Sequence, residues 1–112
     1  MQTEQPRRGT GSRSMDCGEG MDTAKVHIPA AQEELIAALA RLGKPLVTVV
    51  IAGRAYCIEK IENASDAVLY AFYPGPMGGK AVAELLYGSS NPSGRLPVSM
   101  PRHVGQIPVC YN

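Results

Sequence analysis

The sequence predicts an α/β fold: a three-layer α/β/α sandwich around a mostly parallel sheet. Three observations carry that expectation. Two apolar runs without alternation, residues 46–51 and 67–73, read as strands buried on both faces, as parallel strands covered by helices are. Amphipathic stretches precede, separate and follow them, so helix and strand alternate along the chain. The chain has 112 residues, 45% hydrophobic and 19% charged, which fits one modest globular domain and excludes a two-domain enzyme or a disordered chain.

Taken in order, residues 1–16 place Arg7, Arg8 and Arg13 among Gly, Ser, Thr and Pro with no periodic apolar face, and predict a disordered basic tail. The organised domain is expected over 17–112. A helix is predicted over 31–42, where Leu35, Leu39 and Leu42 recur at i, i+4 and i+7 beside Ile36. Glu33 and Glu34 in its first turns and Arg41 in its last suit the helix dipole, and Gly43 supplies a left-handed stop. Strand 46–51 follows, then a short helix over 58–64 and the strand over 67–73. Pro74-Gly75-Pro76 ends that strand. Ala81, Val82, Leu85 and Leu86 trace another amphipathic helix, which Gly88 stops. Asn91-Pro92-Ser93-Gly94 is a turn by composition. Residues 96–100 are expected as a last edge strand, because Pro97 and Pro101 cannot donate to a ladder. Two or three parallel strands leave faces and edges uncovered, so the organised residues predict a partial domain lacking its first strands.

Several functions are excluded by the same residues. A net charge of +1 gives no broad electrostatic footprint for nucleic acid, and no aromatic residue interleaves the N-terminal arginines. No apolar run approaches the roughly 20 residues of a membrane span. The N-terminus shows no apolar leader region; if it is the genuine start, the cytoplasm is the expected compartment. Cys17, Cys57 and Cys110 share no metal-type spacing and are expected as small buried or half-buried thiols. His27, between Val26 and Ile28, is expected to be structural, and His103 has no evident nucleophile partner. Residues 75–79 precede a helix, yet they lack both the Lys-Ser/Thr ending of a phosphate loop and dinucleotide glycine spacing. Asp66 reads as a cap and Lys80 as a helix-surface charge. Of the tyrosines, Tyr56, Tyr70, Tyr73 and Tyr87 could stack on sugars, with Tyr70 and Tyr73 in the second strand expected in the core instead.

A set of short motifs then resembles one family. Gly18-Glu19-Gly20-Met21-Asp22, followed by Ile28-Pro29 and Gln32, resembles the Gly-Glu-x-x-Asp-Arg…Leu-Pro-x-x-Gln signature of glycoside hydrolase family 3. Gly43-Lys44-Pro45-Leu46-Val47, Gly53-Arg54, Ser65-Asp66-Ala67 and Pro74-Gly75 with Gly78-Gly79-Lys80-Ala81 are similar to its later segments. So are Asn91-Pro92-Ser93-Gly94-Arg95-Leu96-Pro97 and the closing Gly105-Gln106-Ile107-Pro108-Val109. The order is the family's, from about residue 18 to the end, and the likeness is nearest to the bacterial β-glucosidases. Thr23 stands where the family has arginine, Pro76 and Met77 replace a polar-acidic pair, and Cys110 replaces an aromatic residue.

The resemblance implies a retaining β-glucosidase-type hydrolase acting on β-linked glucosides or xylosides, without cofactor or metal. In the family a (β/α)-barrel carries the nucleophilic aspartate and the sandwich domain carries the acid/base glutamate on a loop. Retention needs the two carboxyl groups about 5 Å apart. In many members that glutamate lies in a Gly-Glu-Gly or Gly-Glu-Ser context, which here is Glu19; a solvated loop carboxylate is the alternative reading of the same residue. Gly18 and Gly20 beside it would let backbone approach a sugar, and enclosure by barrel and substrate would favour its protonated form. No barrel is present in these residues, so the isolated chain is expected to be inactive. A non-catalytic remnant acting as an interaction domain is the alternative expectation.

Overall fold

The computed structural model describes residues 19, 20, 22–106, 108 and 109. The expected basic tail, together with Cys17, Gly18 and Cys110, lies outside the described residues. Three helices and two strands follow in the order α1 (Ala30–Ala40), β1 (Val47–Val50), α2 (Glu59–Ala64), β2 (Ala67–Tyr70) and α3 (Gly78–Leu86). A short 3-10 turn, Val104–Gln106, comes last. The α/β class is the one the alternation predicts.

β1 and β2 pair in parallel, with Val47 opposite Ala67 and Val50 opposite Tyr70. One face of the sheet carries Thr48 and Val50 into the core, where Ile36 of α1 and Ile61 of α2 meet Ile28, Ala52 and Tyr56. Val68 and Tyr70 pack against this cluster from β2. The ends of the strands are tied together: the Leu46 N–H donates to Asp66 Oδ2 at 2.7 Å, and the Asp66 N–H donates back to the Leu46 carbonyl at 2.8 Å. Asp66 is thus a clip between the two strand starts rather than a helix cap. Thr48, buried on an apolar face, satisfies its hydroxyl against Ser65 at 2.7 Å.

α1 differs from its prediction in which side it buries. Ile36 is buried and Gln32 and Ala40 are half-buried, so the inward row is 32, 36 and 40. Leu35, Leu39 and Leu42 remain 52%, 40% and 65% exposed. Both rows have helical spacing, and residues 35 and 36 lie only about 100° apart around the axis. The sheet contact selects the β-branched Ile36, and the Glu33–Lys60 ion pair at 2.7 Å fixes α1 against α2 in that rotation. The same hydrogen bond, with the charge of Glu33, raises the pKa of Lys60.

α1 stops two residues earlier than predicted. Gly43 still performs its expected turn, with φ 65° and its N–H on the Ala40 carbonyl. Gly88, at φ 77°, ends α3 in the same way. Lys80 lies on the surface of α3, 3.7 Å from Glu84 one turn on. Residues 96–100 form no strand. Pro97 lacks a donor, and Leu96 and Pro97 line the far side of a broad groove from β2 instead of pairing with it.

Candidate functional site

Ligands of open parallel α/β sheets gather at the carboxyl ends of the strands. Here those ends are the segments 52–57 after β1 and 71–75 after β2, and both are tightly specified. The Tyr70 hydroxyl donates to the Arg54 carbonyl, holding the first segment from the inner side. Phe72 has φ 49°, a left-handed backbone for an aromatic residue, which costs on the order of 1–3 kcal/mol. That turn carries Tyr73 across onto Gly53, where an added Cβ would lie 2.5 Å from Tyr73 Cε2. Gly53 is therefore bare because the Tyr73 ring occupies its side-chain space.

The next residue repeats the device. A Cβ at Gly78 would lie 2.5 Å from Pro74 Cγ, so the proline ring fills the space over buried Gly78. Gly75, at φ 75°, makes the turn between them, and the Gly78 N–H closes it on the Gly75 carbonyl at 3.0 Å. Gly75 thus serves the turn and Gly78 the packing of Pro74.

The segment from Glu19 approaches the same end of the sheet. The Cys57 N–H donates to the Val26 carbonyl at 2.7 Å, and His27 bridges Cys57 in parallel fashion. Val26 and Ile28 are buried on either side, while His27 itself is exposed. The backbone of His27 is structural, as expected. Eight residues upstream of that bridge, Glu19 lies exposed in a turn with Gly20 at φ 74°. Asp22 is exposed as well, and Thr23 Oγ1 accepts the Lys25 N–H at 3.1 Å. The tyrosines divide differently from expectation. Tyr56 is buried and Tyr70 half-buried, whereas Tyr73 is half-exposed rather than core and Tyr87 is almost wholly exposed.

Cys57 is a buried free thiol, as its composition-based expectation had it. Burial raises its pKa above the ordinary 9.0, and the Glu59 carboxylate adds to the rise. A raised folded-state pKa means its stabilising contribution is intact below pH 9.0 and is lost as alkali ionises the thiol. Cys57 is expected to resist iodoacetamide at pH 7 and to label fully in urea, as read by peptide mass mapping. Labelling in native buffer at the rate of a free peptide thiol would contradict this burial. Among the described residues no group of three His, Cys, Asp or Glu could hold a metal ion, and no helix is long and apolar enough to cross a membrane. His103 is exposed, beside the turn in which the Gln106 N–H donates to its carbonyl.

Residues 8–112 match the glycosyl hydrolase family 3 C-terminal domain. A periplasmic β-glucosidase of Salmonella typhimurium is 46% identical over 94 residues, covering 84% of this chain and 12% of that enzyme. A β-xylosidase of Formosa agariphila is 42% identical over 101 residues, covering 90% and 14%. The crystal structure of a Listeria innocua β-glucosidase in complex with glucose superposes with a TM-score of 0.88 at 40% identity, covering 91% of this chain and 14% of that one. The chain belongs to glycoside hydrolase family 3, in its C-terminal α/β domain. It spans about one-eighth to one-seventh of the length of these relatives.

Proposed function

We propose that this chain supplies the acid/base loop of a retaining β-glucosidase- or β-xylosidase-type hydrolase, with Glu19 as the proton donor. The observation that carries the reading is its 46% identity with a β-glucosidase over 94 residues, 84% of this chain. The chemistry suits the residue. A carboxyl group between glycines can approach the glycosidic oxygen closely, give it a proton as the bond breaks, and later take one from water. The nucleophile must come from a second carboxylate about 5 Å away, on the opposite side of the sugar ring. In the family that group belongs to the barrel. Domain assembly is therefore part of the mechanism: neither carboxylate forms and hydrolyses a glycosyl intermediate alone.

It follows that the 112-residue chain alone does not hydrolyse 4-nitrophenyl β-D-glucoside or the xyloside above the buffer rate. Glucose release that disappears in Glu19→Gln would overturn that expectation, because it would mean the chain contains a full catalytic pair.

A second reading, an interaction domain without catalysis, draws on the exposed row Leu35, Leu39 and Leu42 on α1. Three leucines on one helix side form a surface that association would cover. Sedimentation between low and high micromolar concentration tests it. Self-association abolished by Leu39→Glu supports this reading, and a monomer throughout contradicts self-association through α1.

A further inference from the structure

We propose that Tyr73 is a sugar-stacking platform at the carboxyl end of the sheet, binding the apolar face of a pyranose ring. The proposal rests on the glycosidase reading for the class of ligand, and on separate geometry for the residue. Tyr73, three residues beyond the end of β2, is 50% exposed, although Ala71 and Phe72 before it are half-buried. Its position is built rather than incidental. Phe72 adopts a left-handed φ of 49° that sends the chain across toward β1. Gly53 leaves room for Cε2, Cζ and Oη of the ring, all of which would lie within 2.8 Å of a Cβ there. The Tyr70 hydroxyl holds the carbonyl of Arg54, the residue after Gly53. The next residue, Pro74, is seated on Gly78.

A half-exposed ring whose Cε2–Oη edge is seated over Gly53 loses little freedom when a ligand covers it. Aromatic faces present negative potential to polarised C–H groups, and a β-glucoside offers such groups on one side of its ring. The hydroxyl tip, lying near the Gly53 backbone, leaves the body of the ring as the contact surface. Phe72 is not the platform: its ring sits 4.8 Å from Tyr70, tilted against it.

The test is a titration of the 112-residue chain, its tyrosine rings isotope-labelled, with methyl β-D-glucopyranoside. Saturable shifts of the Tyr73 ring are expected, with Tyr87, 89% exposed, as the unshifted control. Saturation transfer from protein to sugar gives the affinity of each variant. Tyr73→Ala should weaken binding about tenfold, equivalent to about 1.4 kcal/mol. Tyr73→Phe should stay within about twofold of the parent. Gly53→Ala, which displaces the ring without removing it, should also weaken binding and guards against misfolding of Tyr73→Ala; thermal melts establish which variants fold. Unchanged affinity in folded Tyr73→Ala or Gly53→Ala overturns the platform. Shifts confined to the Glu19 turn overturn the platform and leave the glycosidase reading standing. A titration in which nothing moves contradicts the platform, while the glycosidase reading stands or falls separately on the Glu19→Gln rate in an assembled enzyme.

Discussion

Glu19→Gln is expected to reduce kcat by about 10²–10⁴-fold on substrates with poor leaving groups once the domain is joined to a family barrel. The chimera for this test carries residues 19–109 in place of their counterparts in the Listeria innocua enzyme, to which this chain is 40% identical with a TM-score of 0.88. The direction follows from what a glutamine amide cannot do. It has nearly the size and hydrogen-bonding reach of the glutamic acid but no proton to transfer. An alkyl alkoxide or a second sugar leaves badly without that proton. A 2,4-dinitrophenolate leaves without help, so the first step on its glycoside should survive the substitution. The second step, attack by water, still needs a base, and the glycosyl intermediate should accumulate. A burst of dinitrophenol followed by slow turnover is the expected trace. Uniform loss across leaving groups would indicate a folding or binding role for Glu19 instead.

Ile61→Ala has the largest expected effect on stability, about 2–5 kcal/mol. Ile61 is 2% exposed and lies where α2 meets β1 and α1. The buried cluster around it has only six members among the described residues, so few neighbours can close the gap left by the lost methyl groups. Marginal stability makes such a loss a large fraction of the total. Leu35→Ala on the exposed row of α1 should change stability by no more than about 0.5 kcal/mol. Urea midpoints at constant slope measure both. Equal effects would mean that the leucine row, not Ile36, faces the core.

That contrast also shows how far the residues alone carry the fold. Element type and order were legible because runs without alternation and left-handed glycine stops are local properties; Gly43 and Gly88 do what their positions suggest. The buried side of α1 was not, since the rows 32-36-40 and 35-39-42 both satisfy helical spacing and only the ion pair and sheet contact choose between them. Residues 96–100 have strand composition, but strand formation needs a partner edge, and β2 lies across the groove. Asp66 looked like a cap because the helix-cap residue types also serve backbone donors far along the chain; its donor is twenty residues away. At the site, the proposal for Glu19 comes from its motif and not from any local physical peculiarity. The seat of Tyr73 depends on a left-handed phenylalanine, which no propensity would suggest. The signal available was Gly53 at a strand end, where a missing side chain marks a close approach.

The central claim, that Glu19 is the proton donor of this domain, is tested most directly by one ratio in the assembled chimera. The measurement is the Glu19→Gln effect on the first step for an alkyl β-glucoside, divided by the effect for the 2,4-dinitrophenyl glucoside. A ratio of about 10² or more is predicted, since only the first substrate needs the proton. A ratio near one, in a chimera whose parent form is active, would contradict the claim and move the acid/base role to another residue.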